Sequence, residues 1–370
     1  MEFIGFILNK AAIRLIVLRR PRNLTIAMKP SNLVRVALPF VMWLVLPALL
    51  SSCAPTSLVH DEDKEWVRHD VWSSETQITT WEDIEKLGLG VGFMRPGDSD
   101  IHPDQRSSTR EFTIQSGQSF ATFLILSVGG TLDKTQPLLV SIFLDYEQVS
   151  FSMDGQQGIL HYLEVQPGGD LEIPIEVNIA SPGWHDLFVV VFLGPEYHPV
   201  DPQSRFPMLN IGGRRTVICV DECTMLNNRL PEPLVGNEAN AQRLHINALA
   251  LLPGDAPPAD RLLSSTYATP GDVVNLELWA RNTTDRLKRY VVLPLLNFRQ
   301  TSFVDGEKLL DLHMPPKSEL FVDGQVQLPQ EGKVNEFQFI TIFDPYASLS
   351  DIPDPFVQSE MRSAIITASQ

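Results

Sequence analysis

Cysteine is scarce in this sequence, with three residues in 370. No C-x-x-C occurs, and none of the eight histidines forms the H-x-H or H-E-x-x-H spacings that are typical of zinc sites and metallohydrolases. The glycine-rich loops that bind phosphates and the G-x-S-x-G turn of serine hydrolases are missing as well. We therefore predict no bound metal, no cofactor and no set of catalytic residues.

The apolar run at residues 36–50, VALPFVMWLVLPALL, is too short for a membrane-spanning helix. Fifteen helical residues reach about 22 Å, whereas the hydrocarbon core of a membrane is roughly 30 Å thick. Lys29 and Arg35 precede the run, as in the basic segment of a secretory signal peptide. We predict a signal peptide at residues 1–52, with Met28 as an alternative start.

The residues that follow this run are Leu50, Ser51, Ser52 and Cys53, a pattern that resembles the bacterial lipobox. The resemblance implies that Cys53 is diacylated and becomes the mature N-terminus, and two acyl chains attach a protein stably to a membrane. The expected location is extracytoplasmic, with a lipid anchor in the cell membrane or outer membrane. An uncleaved anchor helix and a coincidental buried cysteine are the alternatives.

Positive charge is in short supply after Cys53. Seven of the 29 basic residues and one of the 45 acidic residues precede it, which leaves 22 bases against 44 acids. So acidic a chain repels phosphate backbones, and we predict no nucleic-acid partner. Residues 53–83, which include Trp66 and Trp72, are polar and lack periodicity, so we interpret them as a tether.

The remaining sequence contains an internal repeat. Pro-Gly-Asp occurs at residues 96–98 and again at 253–255, and Ser-Ser-Thr occurs at 107–109 and 264–266, with the same offset of 157. Further weak matches follow in the same order, among them HDLFVVVFLGPEY with VNEFQFITIFDPY and RRTVICV with RSAIITA. This order predicts a tandem duplication with units at residues 84–222 and 243–370. Residues 223–242, rich in Pro, Asn and Gly, are the predicted linker.

Each unit consists of short segments rich in Val, Ile, Leu and Phe, separated by Gly, Pro, Asp or Asn. Several of them alternate between apolar and polar residues, as NLELWARN does at residues 275–282, whereas helical periodicity is almost absent. This pattern predicts an all-β chain of two tandem antiparallel β-sandwiches of the immunoglobulin-like type.

Residues 268–285, ATPGDVVNLELWARNTTD, resemble the opening of bacterial cell-adhesion-related immunoglobulin-like domains. The likeness covers about 20 residues, and Thr283 and Thr284 replace the glycine that the family carries there. The resemblance supports the predicted fold and implies no particular function. Neither unit has the Cys…Trp…Cys spacing of antibody domains.

Cys219 and Cys223, spaced C-x3-C, are the remaining thiols. In an exported protein they are candidates for a local disulfide, provided that the chain turns between them, because an extended segment would hold the Cα atoms about 13 Å apart. Two reduced buried thiols are the alternative. His185 and Asp186 form another suggestive pair, but the repeat sets them opposite Val334 and Asn335, so we interpret them as a solvated strand edge.

The sequence thus favours a non-enzymatic envelope lipoprotein that binds or scaffolds. Its expected partners are the membrane, through the lipid, and an envelope protein or glycan, through loops that differ between the copies: residues 129–136 and 198–205, near Tyr197. Two other hypotheses stay open. One is a subunit of an envelope enzyme or transport complex with a site between the units, and the other is a purely structural spacer.

Overall fold

The computed structural model describes residues 66–69, 89–94, 111–128, 135–166, 170–195, 211–222, 230–239, 245–331, 334–347, 357–358 and 362–367. Both sandwiches belong to one compact unit, Asp63–Gln370. The predicted lipobox, Cys53 and Cys223 lie outside the described residues. In the part of the chain that is described, no helix is long and apolar enough to cross a membrane.

The first sandwich contains twelve described strands. They are β1 (Val67–Arg68), β2 (Leu89–Met94), β3 (Glu111–Ile114), β4 (Phe120–Val128), β5 (Gln136–Leu144), β6 (Glu147–Val149), β7 (Phe151–Met153), β8 (Gln156–Gly158), β9 (Leu160–Val165), β10 (Asp170–Val177), β11 (Gly183–Leu193) and β12 (Ile211–Val220).

The second sandwich contains another twelve and one short helix. They are β13 (Leu234–Val235), β14 (Asn237–Glu238), β15 (Ile246–Leu251), α1 (Pro258–Arg261), β16 (Ser265–Ala268), β17 (Val273–Asn282), β18 (Lys288–Leu296), β19 (Arg299–Gln300), β20 (Leu310–Met314), β21 (Ser318–Gln327), β22 (Val334–Phe343), β23 (Val357–Gln358) and β24 (Ser363–Thr367).

The two sandwiches have corresponding strand orders, as the internal repeat predicts. One sheet of each, called the inner sheet here, runs β1-β9-β5-β11-β12-β3 in sandwich one and β13-β20-β18-β22-β24-β16 in sandwich two. The other sheet, called the outer sheet, runs β2-β4-β10-β7-β8 in sandwich one and β15-β17-β21-β14 in sandwich two, so that β2, β4 and β10 correspond to β15, β17 and β21. The all-β, immunoglobulin-like prediction is therefore confirmed.

Alternation along the strands produces the core of each sandwich. Every second residue of β4 is buried, from Phe120 to Val128, as expected for a sheet with one face toward the core. Apolar residues from both sheets meet in sandwich one, among them Leu124, Ile142 and Val189. Leu278, Val292 and Phe339 do the same in sandwich two. Each sandwich thus has a hydrophobic core of its own.

The edges of the inner sheets differ from a purely antiparallel pattern. β1 pairs in parallel with β9, and β13 pairs in parallel with β20. On the opposite edges β3 and β16 run parallel to β12 and β24. Short added strands of this kind cover the backbone groups that a sheet edge leaves unpaired.

These edge strands move the predicted domain boundaries. Residues 66–69 fall within the predicted tether, and residues 234–238 fall within the predicted linker, yet both segments pair with sheets. The prediction missed them because strands of two residues are too short to show an alternation. Each sandwich therefore includes a lead-in strand that precedes the repeat recognised in the sequence.

The central strands of the inner sheets are buried on both faces. In β11 every residue from His185 to Phe192 is buried, and in β22 every residue from Asn335 to Ile342 is buried. One face of each strand belongs to its own sandwich core, and the other face belongs to a third apolar cluster shared by the two sandwiches. The inner sheets therefore pack against each other face to face.

Candidate functional site at the interface between the sandwiches

The interface between the inner sheets is mainly apolar. Side chains on β5 and β11 alternate between the core of sandwich one and the interface, and those on β18 and β22 alternate in the same way. Phe192 meets Phe298 with ring centroids 4.9 Å apart. The buried residues of the cluster include Leu139, Phe143, Tyr146, Phe188, Val190, Phe192, Val291, Leu293, Leu295, Phe298, Ile340 and Ile342.

Two equivalent hairpin turns face each other across this interface. Asp145 and Tyr146 join β5 to β6, while Asn297 and Phe298 join β18 to β19, and all four have positive φ angles between 50° and 71°. Asp and Asn tolerate this conformation, whereas aromatic residues rarely adopt it. Both aromatic rings are buried in the shared cluster, so the interface holds each hairpin in this uncommon geometry.

A glutamine after each turn bonds to the other sandwich reciprocally. The Gln148 backbone N–H donates to Gln300 Oε1 at 2.8 Å, and the Gln300 N–H donates to Gln148 Oε1 at 2.9 Å. The side-chain Nε2 of Gln148 donates to the Phe298 carbonyl at 3.0 Å, and that of Gln300 donates to the Tyr146 carbonyl at 2.8 Å. This exchange of identical contacts defines a local pseudo-two-fold axis.

Asp186 is the most densely bonded acid of the interface. Its carboxylate accepts hydrogen bonds from Arg215 Nε at 3.1 Å and from Arg215 Nη2 at 2.9 Å to each oxygen. The Tyr146 hydroxyl also donates to it, as does the backbone N–H of Tyr346, in sandwich two, at 2.9 Å. Asp186 is 0% exposed and Arg215 is 1% exposed. A buried ion pair is retained only when its remaining polar atoms are satisfied in this way.

Arg215 also reaches across to the end of a strand in the other sandwich. Its Nη1 donates to the carbonyls of Phe343 at 3.1 Å and Asp344 at 2.8 Å. Its Nη2 donates to the Ala347 carbonyl at 3.3 Å. The guanidinium therefore fastens a carboxylate of sandwich one to the backbone of sandwich two.

Arg362 and Glu336 repeat the arrangement in the opposite direction. Arg362 Nε lies 3.6 Å from Glu336 Oε2, and both side chains are buried. Arg362 Nη1 donates to the carbonyls of Leu193 at 3.2 Å and Gly194 at 3.4 Å, the end of β11 in sandwich one. Each sandwich thus presents one arginine to the same strand end of its neighbour, and the interface is isologous.

The network keeps Tyr146 protonated. Burial and then the nearby Asp186 charge raise the pKa of the Tyr146 hydroxyl well above its usual value. The hydroxyl therefore acts as a hydrogen-bond donor to Asp186 and contacts the Tyr346 N–H at 3.1 Å as an acceptor. Its ring meets the Tyr346 ring edge-on at 5.1 Å, which adds an aromatic contact between the sandwiches.

The interpretation of His185 and Asp186 as a solvated strand edge is wrong. Both side chains are buried, and His185 Nδ1 lies 2.7 Å from Asp145 Oδ2 while Nε2 lies 2.8 Å from the Ser181 carbonyl. Burial lowers the pKa of His185. In sandwich two Asn297 bonds to Asn335 at 2.8 Å in the equivalent place, so the pair supports a turn in both copies.

The sequence alignment failed here by one residue. It set His185 opposite Val334 and Arg214 opposite Arg362, whereas strand pairing and contacts make Asn335 and Arg215 the true equivalents. A shift of one residue moves every side chain of a strand to the other face. The sequence signal that could have been used is an acid early in β11 and in β22, together with an arginine within β12 and another just before β24.

The predicted site residues have mixed outcomes. Cys219, buried on β12, is disulfide-bonded, while Cys223 lies outside the described residues, so their pairing stays a prediction. Tyr197, residues 198–205 and nearly all of residues 129–136 also lie outside. Across the described ranges, no three His, Cys, Asp or Glu side chains converge as metal ligands would.

No protein-family model and no curated protein sequence matches the chain. Among solved structures, red sea bream transglutaminase is 9% identical over 76% of this chain and 31% of that chain, with a TM-score of 0.21. A mutant Salmonella alpha-2-macroglobulin is 11% identical over 76% and 16%, with a TM-score of 0.24.

A third similar structure contains the two tandem V-type regions of a v-region-containing chitin binding protein. It is 8% identical over 76% of this chain and 99% of that chain, with a TM-score of 0.24. The present chain spans less than a third of the transglutaminase and of the macroglobulin. Similarity at these TM-scores supports no inference about function, which has to come from the interface itself.

Proposed function

We propose that this chain is a non-catalytic binding or scaffolding ectodomain, held at the cell envelope by a lipid on Cys53. The two sandwiches act as one stiff body, because their inner sheets are buried against each other. End loops and outer sheets are then the surfaces that partners can reach, as is common for sandwich domains. An envelope protein or a glycan is the expected ligand class.

The observation that supports this proposal most strongly is that the buried charges hold the two sandwiches together. Asp186 receives hydrogen bonds from Arg215, Tyr146 and the Tyr346 backbone, and it has no solvent exposure. A catalytic carboxylate has to reach substrate, whereas this one holds two sandwiches together. The same geometry weighs against the rival hypothesis of an enzyme site between the units.

The disulfide at Cys219 supports an extracytoplasmic location, because disulfides persist mainly in oxidising compartments. The chain has only three cysteines, so within one molecule Cys219 pairs with Cys223 or with Cys53. A lipid on the Cys53 sulfur excludes the second pairing. Anchoring and disulfide pairing are therefore linked, and one experiment can address both.

Intact-mass analysis of the mature protein tests this link. The wild type should begin at Cys53, carry the mass of a diacylglyceryl group and contain no free thiol. Cys53→Ser should lose the lipid and keep the Cys219 bond. The matched variant Cys223→Ser should keep the lipid and expose one free thiol. An unprocessed N-terminus, or a free Cys219 in Cys53→Ser, would contradict the proposal.

Cross-linking in intact cells separates binding from a spacer role. A binding protein should give a cross-linked species of constant mass whose yield saturates as expression rises. The Cys53→Ser variant should lose that species while retaining the fold, because it no longer resides at the membrane. Recovery of monomer alone at every cross-linker concentration would support the spacer and contradict binding.

A further inference from the structure

Residues 66–69, called the strap here, contain β1 and contact both sandwiches. The Trp66 ring stacks on Tyr162 of sandwich one, with centroids 5.8 Å apart and planes at 13°. It also meets Phe298 of sandwich two edge-on at 6.0 Å. The Arg68 guanidinium lies 4.4 Å from the centroid of the Tyr162 ring. The strap therefore closes one side of the interface.

The strap fits closely against the β7, β8 and β9 strands. Val67 occupies the space that Gly158 leaves, since a Cβ built on Gly158 would lie 2.5 Å from Val67 Cγ2. The backbone N–H of His69 donates to the Tyr162 carbonyl at 3.1 Å. Strand pairing alone holds only two residues, so side chains supply much of the attachment.

A pair of imidazoles joins the strap to the body. His69 Nε2 lies 2.8 Å from His161 Nδ1, and His161 Nε2 lies 3.2 Å from the Phe151 carbonyl. A carbonyl only accepts, so Nε2 of His161 carries a proton, and its Nδ1 accepts from His69 while His161 is neutral. His161 is 0% exposed.

This geometry tolerates one extra proton and excludes a second. If His69 is protonated, it still donates from Nε2 to the neutral His161. If both rings are protonated, two N–H groups face each other and two positive charges lie in contact. We propose that the His69–His161 pair is a proton-operated latch, which keeps the strap docked until the second proton arrives and then releases it.

The chemistry around His161 sets the pH range. Burial is the largest influence and lowers the pKa of His161, the hydrogen bond to the Phe151 carbonyl opposes it, and the charge on His69 lowers it further, to about 4 overall. The docked strap is therefore favoured most above the unperturbed value of about 6.5. If release of the strap restores the ordinary pKa of His161, the preference for docking decreases by up to about 100-fold as pH falls from about 7 to about 4.

Among the residues that the structure describes, few other ionisable groups lie on the elements that pack against the pair. The strap contributes Arg68, and β9 itself carries Tyr162 and Glu164. β5, β7 and β8 carry no ionisable side chain, and the turn between β7 and β8 contributes the exposed Asp154. The permanent charge of Arg68 adds to the repulsion that opposes a second proton. Release of the strap would lengthen the reach from Cys53, a consequence that depends on the proposed anchoring, whereas the latch does not.

Hydrogen exchange of the full-length purified chain, followed by mass spectrometry, tests the latch. After correction for the intrinsic rate, the peptide that contains the strap should exchange up to about 100-fold faster at about pH 4 than at about pH 7. Peptides from β11 should stay protected at both values, which shows that the sandwiches remain folded. Unchanged strap protection in the wild type would overturn the proposal.

The variant His161→Gln tests whether the proton on His161 causes the release of the strap. A glutamine amide can donate to Phe151 and accept from His69, yet it cannot become charged, so the strap should stay docked at both pH values. His69→Gln removes the facing charge but leaves His161 buried and able to take a proton, so it should reduce the pH response without abolishing it, and it serves if His161→Gln fails to fold. His313→Gln, on the equivalent strand β20, should respond like the wild type. A response of wild-type size in both latch variants would contradict the proposal, whatever the outcome for anchoring.

Discussion

The two sandwiches share their inner faces and differ on their outer faces. Positions in the interface carry matched chemistry in both copies: Asp145 and Asn297, Tyr146 and Phe298, Gln148 and Gln300, Asp186 and Glu336, Arg215 and Arg362. On the outer sheets one equivalent cross-strand pair is Ile125 with Glu172 in sandwich one and Trp279 with Phe321 in sandwich two.

The matched positions are those at which each sandwich constrains the sequence of the other. An interface residue must fit the equivalent residue across the pseudo-two-fold axis, so a change in one copy requires a compatible partner in the other. An outer-sheet residue has no such partner. Trp279 and Phe321 lie nearly parallel, at 7°, and Phe321 is 40% exposed, whereas the equivalent pair in sandwich one is Ile125 with Glu172.

The largest expected effect comes from neutralising one acid of the interface. Asp186→Asn leaves Arg215 buried without its counter-charge, and we expect the free energy of unfolding to fall by about 3 to 5 kcal/mol. Glu336→Gln is the matched change in sandwich two. It should cost about 2 kcal/mol, because Arg362 Nε lies 3.6 Å from Glu336 Oε2, whereas Arg215 Nη2 lies 2.9 Å from Asp186 Oδ2. Urea unfolding at neutral pH measures both, and equal losses would contradict the assigned asymmetry.

A smaller and symmetrical effect is expected from the two glutamines. Gln148→Ala and Gln300→Ala each remove hydrogen bonds across the interface, and each should cost about 1 kcal/mol. The double variant should cost about the sum of the two, since the glutamine that each single change leaves in place keeps its own bonds to the backbone of the other sandwich. Ser150→Ala, an exposed site beside Gln148, is a control that should change little. A double-variant loss well below the sum would show that one substitution already releases the other glutamine.

The smallest change in stability is expected from a variant in which one turn of sandwich one is given the residues of the equivalent turn in sandwich two. The double variant Asp145→Asn with His185→Asn gives sandwich one the Asn–Asn turn contact of sandwich two. Because the new pair can satisfy the same backbone groups, stability should change by less than about 1 kcal/mol. Thermal unfolding of the variant and of each single change provides the measurement. A loss above about 3 kcal/mol would mean that the Asp–His pair has a role beyond the turn.

The sequence predicted the fold from two strong signals, the alternation in strands such as β17 and the repeated order of turns. It missed the face-to-face packing, although the run LFVVVF in β11 had lost its alternation. A continuous apolar run indicates a strand buried on both faces, but the run itself does not identify what covers the second face. That information resides in residues far apart in the chain.

The buried ion pairs could not be predicted for a related reason. Asp186 and Arg215 become partners only when β11 and β12 pair in one register, and Arg215 reaches Asp344 only when the inner sheets face each other. An error of one residue in the alignment hides both contacts. The strap was missed because its two-residue strand has no measurable pattern.

The central claim is that the sandwiches form one body, and cooperative unfolding tests it most directly. Hydrogen exchange across a urea series, read by mass spectrometry, reports β11 of sandwich one and β22 of sandwich two in the same sample. The account predicts a single midpoint and a single slope for both strands, and Asp186→Asn should lower both midpoints together. Two separate midpoints in the wild type, with only that of β11 shifted by the substitution, would contradict it.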